Sequence, residues 1–132
     1  MSELSKVTEN VFYLSGEGLC SYSYLLKAGD SFLAIDAGNG SIDFSGISIE
    51  KVLLTHGHYD HALGVGKMNA KAFLHENDLN ILRELNKGFI PEPINAQNIL
   101  PLKEERIEFG GFSLKAIHTP GHTPGSVCFL EE

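Results

Sequence analysis

The sequence predicts a single domain of mixed α/β (α+β) structure in which strands outnumber helices, and three observations predict it. Short runs rich in aromatic and aliphatic residues recur along the chain, most clearly at Tyr22–Lys27, Phe32–Asp36 and Phe112–Thr119. One later segment, Asp78 to Asn86, repeats leucine at helical spacing instead. The composition is that of an ordinary globular chain of 132 residues, 42% hydrophobic and 20% charged, with no internal repeat or composition break to mark a linker. That length permits one core and leaves little room for a second module.

Taken in order, Val11–Leu14, Tyr22–Lys27 and Phe32–Asp36 read as strands. Ala28-Gly29-Asp30-Ser31 supplies turn chemistry that joins the last two as an antiparallel hairpin. Ala37-Gly38-Asn39-Gly40-Ser41 breaks regularity before another strand at Lys51–Thr55, whose Val-Leu-Leu run implies burial on both faces. Ala72–Leu74 is a short strand. The helix from Asp78 to Asn86 places Leu79, Leu82 and Leu85 on one side, with Asn77 to cap its start and Gly88 beyond its end. Asp78 at the start and Arg83 and Lys87 at the end complement the helix dipole. Pro91 and Pro93 close that region. Arg106–Phe109 and Phe112–Thr119 flank Gly110-Gly111, a tight hairpin connection, and Ser126–Leu130 is the last strand.

Charge and hydropathy exclude several partners. Seventeen acidic against ten basic residues, net −7, argue against a nucleic-acid surface, and Lys103 and Arg106 stand beside Glu104 and Glu105 as a solvated mixed face. The apolar runs are far shorter than the ~18 residues a membrane span needs. The polar start MSELSKVTEN is unlike a secretory signal, so a cytoplasmic protein acting on a small molecule is expected. Cys20 and Cys128 form no C-x-x-C pair and are expected to be structural thiols, Cys128 as a small buried hydrophobe.

The informative stretch is Thr55-His56-Gly57-His58-Tyr59-Asp60-His61, directly after a strand read as buried. In extended backbone His56 and His58 project to the same side, and Gly57 between them does not obstruct. Asp60 and His61 follow where the chain turns and aim at a neighbouring point. A metal site usually takes three protein ligands, and the third candidate is His122, in the stiff loop Thr119-Pro120-Gly121-His122-Thr123-Pro124-Gly125. His118, in a strand, reads as a packed or supporting histidine and His75 as a helix-terminal or exposed one, while Tyr59 either lines a pocket or packs against the loop. Gly64-Val65-Gly66-Lys67 is followed by Met68 and lacks the hydroxyl of a phosphate-binding loop, and no G-x-S-x-G elbow is present.

With these residues the sequence resembles the metallo-β-lactamase superfamily, and within it the glyoxalase II-like hydrolases. The resemblance rests on His56-x-His58-x-Asp60-His61 after a hydrophobic strand, on Leu33-Ala34-Ile35-Asp36-Ala37-Gly38, and on Thr119-Pro120-Gly121-His122-Thr123-Pro124-Gly125-Ser126. It implies an αββα sandwich of two similar halves. Residues 1–132 cover the first half and the start of the second, so this single domain is expected to be incomplete at its C-terminus. It also implies that His56, His58 and His122 hold one metal, that Asp60 and His61 serve a second, and that Asp60 orients or deprotonates the attacking water. Zinc is expected, one or two ions, with iron or manganese compatible with the same ligands. Asp36 is either a turn aspartate or, by resemblance, a support for the metal loop.

The family's bridging aspartate and later histidine do not occur before Glu132. A second ion is therefore expected to be weakly held unless a further segment or another chain, such as a second copy in a homo-oligomer, completes its site. The implied activity is metal-dependent hydrolysis of a thioester or related ester. The alternatives are a mononuclear iron sulfur or persulfide dioxygenase of the same fold, and an inactive or partner-dependent half-domain that binds metal.

Overall fold

The computed structural model describes residues 4–18, 21–88 and 97–132, so Cys20, Pro91 and Pro93 lie outside the described residues. Seven strands follow chain order across one sheet: β1 (Ser5–Thr8), β2 (Val11–Ser15), β3 (Tyr22–Ala28), β4 (Ser31–Ile35), β5 (Ile49–Leu53), β6 (Lys71–Leu74) and β7 (Ile99–Pro101). Strands β1 to β4 are antiparallel and β4 to β7 parallel. A smaller antiparallel sheet holds β8 (Arg106–Phe109), β9 (Phe112–His118) and β10 (Val127–Glu131), with β9 in the middle. Parallel neighbours need crossovers. Those crossovers carry α1 (Tyr59–Ala62) and a 3₁₀ turn (Leu63–Lys67) before β6, then α2 (Glu76–Leu79) and α3 (Leu82–Asn86) before β7.

The two-residue alternation of strands divides the core into two layers. Phe12, Leu25, Ala34, Val52, Ala72 and Ile99 lie side by side across the large sheet and pack against Ala62, Val65 and Leu82 of the crossovers. On the opposite face Leu26, Leu33 and Leu53 meet Ile107, Phe109 and Leu114 of the small sheet. The layers therefore run helices, large sheet, small sheet. The region after Ile49 serves both layers, since Val52 and Leu54 point one way and Leu53 the other, all within 1% of complete burial. This is the two-faced burial the Val-Leu-Leu run predicts. Each such side chain contributes about 1.5–3 kcal/mol.

Both predicted hairpins form. Phe109 pairs with Phe112 around Gly110-Gly111, and Gly110 has a φ of 56°. A Cβ on Gly110 would stand 2.3 Å from the Ala28 Cβ, so glycine is required both for the turn and for the approach to β3.

Four expectations are corrected. The single helix from Asp78 to Asn86 is two short helices, broken at Ile81 with φ −120° and ψ 22°. Its buried stripe is Asp78, Leu82 and Asn86 at four-residue spacing, with Leu79 and Leu85 only half-buried beside it. Each short helix is anchored inward by its own polar residue, and the chain follows those anchors. The first helix begins at Glu76, so its cap is His75, whose Nδ1 accepts from the Asn77 N–H at 3.0 Å, and not Asn77. Cys128 is exposed, because on β10 it lies opposite Ile117 on the outer face of the small sheet, where Ile117 and Leu130 are also exposed. Two strands went unpredicted. β1 is polar and largely exposed at the sheet edge, and β7 is only three residues long, so neither shows a readable alternation.

The parallel arrangement brings the carboxyl ends of β4, β5 and β6 to one rim, where ligands gather in parallel sheets. The N–H of Val127 donates to the carbonyl of Thr55 at 2.8 Å, which seats the loop between β9 and β10 at that rim.

Candidate metal centre

Beyond β5 the chain bends at Thr55 and is extended at His58 (φ −65°, ψ 149°), and the ring centres of His56 and His58 come 5.0 Å apart. The chain then turns into α1, as the N–H groups of His61 and Ala62 both donate to the His58 carbonyl at 3.0 Å. That turn delivers Asp60 and His61 beside His56, whose ring lies 4.3 Å from that of His61. The loop after β9 brings His122 to the same place. His58 Nδ1 and His122 Nε2 are 3.1 Å apart, and the His56 and His122 rings are 4.9 Å apart. One donor atom from each of His56, His58 and His122 lies within 4.8 Å of the others, and the same holds for His56, Asp60 and His61. All five predicted residues thus converge, in two groups that share His56.

Asp36 orients both groups. It has a φ of 62°, a left-handed conformation that Asp and Asn adopt more readily than other non-glycine residues. Its Oδ1 accepts from the Thr55 N–H at 2.8 Å, and its Oδ2 meets the Thr55 hydroxyl and His61 Nδ1, each at 2.8 Å. The Thr55 hydroxyl has one proton and gives it to the carboxylate, so its 3.0 Å bond to His56 Nδ1 must be donated by the histidine. Nδ1 is therefore the donor of both rings, which leaves Nε2 of neutral His56 free as a ligand atom, and Nε2 of His61 free once that ring loses its second proton. Outer partners of this kind fix the tautomer of metal-ligating histidines. Of the two roles open to Asp36, the structure favours support of the loop.

The protonation chemistry follows the same geometry. Burial, then the neighbouring His61, pushes His56 down to about 4, so it is neutral near pH 7. Burial and His122 lower His58 as well. Burial also pulls His61 down, but its hydrogen bond to Asp36 and the charges of Asp36 and Asp60 outweigh that, and its net shift is upward.

A second carboxylate goes unrecognised in the sequence. Asp78 is fully buried. Its Oδ2 accepts from the Gly57 N–H at 2.9 Å and the Thr123 hydroxyl at 2.6 Å, and its Oδ1 from the Gly125 N–H at 2.7 Å. Asn86 Nδ2 donates to the Gly57 carbonyl at 2.9 Å. The readable signal was the four-residue spacing of Asp78, Leu82 and Asn86, which the leucines obscured. His118 belongs to neither group: its Nε2 lies 2.8 Å from the Pro124 carbonyl, and its ring stacks on His75 at 4.0 Å. Tyr59 packs against the helix-side core. None of the five convergent residues lines the cavity of about 730 Å³ between Ser41–Ile49 and Lys67–Asn69.

The donor set fits a divalent ion. Nitrogens at ~2.05 Å from a tetrahedral ion stand roughly 3.3 Å apart, close to the His58–His122 separation, and three imidazoles match a known catalytic zinc set. A family model described as the metallo-beta-lactamase superfamily matches residues 20–132. The chain belongs to the metallo-β-lactamase superfamily. Its helix layer and two facing sheets match the corresponding layers of the superfamily's αββα sandwich. It is 29% identical over 124 residues to the "Probable metallo-hydrolase YqgX" of Bacillus subtilis, covering 81% of this chain and 58% of that protein. To the atrochrysone carboxyl ACP thioesterase of Passalora fulva it is 26% identical over 150 aligned positions, covering 100% of this chain and 41% of that protein. BJP-1, a subclass B3 metallo-β-lactamase of Bradyrhizobium japonicum, superposes with a TM-score of 0.76 at 23% identity over 98% of this chain and 56% of that one. The chain spans about half the length of the curated relatives it matches. Among the described residues no helix is long and apolar enough to cross a membrane.

Proposed function

We propose that this chain carries the metal site of a hydrolase that cleaves a small thioester or related ester, with His56, His58 and His122 as the ligands of one ion. The observation that carries the reading is the 3.1 Å approach of His58 Nδ1 to His122 Nε2 across 64 residues of sequence, with neutral His56 beside them. When bound, a divalent zinc-like ion supplies water acidified toward neutrality and polarises the substrate oxygen. The chain's own residues do the rest. Asp36 and Thr55 hold the His56 and His61 rings by their Nδ1 atoms. Asp60, whose Oδ2 lies 3.5 Å from His61 Nε2 within the second donor group, would accept the proton of the attacking water. The hydroxyl of that water would join the acyl carbon, the C–S bond would break, and the proton taken up by Asp60 would pass to the departing thiolate, giving a thiol and a carboxylic acid. The thioester preference is supported by the glyoxalase II-like motifs and by the name of the Passalora relative. Asp60 and His61, together with His56, form the second donor group and would serve a second ion.

One observation favours a second reading. His56, Asp60 and His61 are two histidines and a carboxylate, a donor set suited to a single non-haem iron and thus to persulfide oxidation. Oxygen uptake by iron-loaded protein with a persulfide, without thioesterase activity, selects that reading. The primary test is metal analysis with a thioesterase assay on the wild type, His58→Ala and His122→Ala. At least one ion per wild-type chain and loss of metal and activity in both variants are expected. Unchanged metal content in both variants overturns the assignment.

A further inference from the structure

We infer that Asp78 is the positioning residue that joins the two histidine-bearing loops and so sets the gap between His58 and His122. The inference rests on the metal-site reading above. The loop holding His122 is stiffened within itself, as the Thr123 N–H donates to the Ser126 hydroxyl at 3.0 Å and the Gly121 N–H to the Thr123 carbonyl at 3.1 Å. Pro120 and Pro124 restrict it further. Its placement against His56 and His58 therefore depends on what ties it to the rest of the fold. Besides the His58–His122 contact itself, the described residues tie it by the Val127–Thr55 backbone bond at the base and by the Asp78 carboxylate near the tip.

Asp78 grips each loop one residue away from a ligand. Gly57 lies between His56 and His58, and Thr123 directly follows His122. A displacement at the carboxylate reaches both sets of imidazoles with almost no intervening chain. Three donors meet two oxygens in a buried place, which a carboxylate satisfies and a neutral amide of the same shape does not. The glycines show how closely this contact is built. A Cβ on Gly125 would lie 2.7 Å from the Asp78 backbone nitrogen and 2.8 Å from its Oδ1. A Cβ on Gly57 would lie 3.0 Å from Leu82 Cδ1 and 3.1 Å from Leu85 Cδ1. Asn86 completes the grip by donating to the Gly57 carbonyl, so both polar groups of the residue between the two histidines are held from α2 and α3. Holding the loops at the bound spacing spares an ion the work of ordering them.

The test compares wild type, Asp78→Asn, Thr123→Val and Thr123→Ser. Zinc affinity is measured by chelator competition, ligand geometry by the visible spectrum of the cobalt-substituted protein, and loop order by ¹⁵N relaxation of the metal-free protein. Asp78→Asn and Thr123→Val are expected to weaken zinc about 10–100-fold and alter the cobalt bands. In the metal-free variants the His122 order parameter is expected to fall below about 0.6. Thr123→Ser, which keeps the hydroxyl, is expected to behave as wild type. A folded Asp78→Asn or Thr123→Val protein with wild-type affinity, spectrum and loop order overturns the inference, even with a lowered Tm. If Asp78→Asn does not fold, Thr123→Val, which removes one of the three bonds, decides. If the wild type binds no metal, the hydrolase reading fails and the order parameters alone decide the role of Asp78.

Discussion

Replacing Asp36 by Asn isolates the charge at the head of the site, because Asn also tolerates the left-handed backbone found there (φ 62°) and has nearly the same shape. The amide oxygen can keep the Thr55 N–H bond made by Oδ1. Its NH₂ then replaces Oδ2, which meets the Thr55 hydroxyl and His61 Nδ1 at 2.8 Å each. The hydroxyl can rotate and accept instead. His61 cannot keep its proton on Nδ1 against another N–H donor, so it must switch tautomer or break the contact. Loss of one bond to a charged group, with weakening of the second, amounts to about 2–4 kcal/mol at a residue only 8% exposed. The charge is also what holds the His61 midpoint up against burial, so in the variant burial prevails and the midpoint falls below the ordinary 6.5. In wild type the raised midpoint makes the folded state the better proton binder. That contribution is full below about pH 6.5 and fades as pH rises through the His61 midpoint. NMR titration of the His61 ring in metal-free protein and urea unfolding measure the two effects. A His61 midpoint unmoved by Asp36→Asn, or a stability change under about 0.5 kcal/mol, refutes the reasoning.

Two further outcomes follow from the same geometry. Gly64→Ala places a methyl 1.9 Å from the Ala37 carbonyl oxygen, a backbone atom that cannot swing away. A loss of about 3 kcal/mol or more is expected in chemical denaturation, and wild-type stability would mean that the 3₁₀ turn is not seated against Ala37 and Gly38. The metal-free protein is expected to lose on the order of 2–3 kcal/mol between pH 6.5 and 4, because the buried His56 stays neutral when folded and takes a proton on unfolding. The unfolded state is the better proton binder across that window, so stability falls as pH falls. His56→Gln should flatten this slope in urea midpoints, and an identical slope in both proteins counts against the assignment.

The parts of the site legible in the sequence are those encoded within a few residues. His56 and His58 stand two positions apart, and Gly57 leaves room between them. Asp60 and His61 follow on a turn. Val52, Leu53 and Leu54 announce a strand buried on both faces, and Gly110-Gly111 announces a hairpin. Asp78 is the opposite case. Beside Leu79, Leu82 and Leu85 it reads as a dipole-compensating surface charge, because local pattern rewards apolar periodicity and is blind to donors arriving from Gly57, Thr123 and Gly125. Cys128 misleads for a related reason. Its apolar neighbours suggest burial, yet strand alternation sends it to the outer face of the small sheet. β1 and β7 escape notice because an exposed polar edge and a three-residue strand have no pattern to show.

By itself the sequence determined the chemistry on offer: four potential ligands in a six-residue stretch, a fifth in a stiff proline-glycine loop, and strands to carry them. These are consequences of short-range geometry, which residue order specifies directly. Only the tertiary structure decided that His122 reaches His58, that Asp36 holds the Nδ1 protons of His61 and, through Thr55, of His56, and that Asp78 ties the two loops together. Those relations join segments up to 64 residues apart. They depend on sheet register and on the parallel strand ends meeting at one rim, and cooperative packing of the whole core, which no local run of residues encodes, sets both.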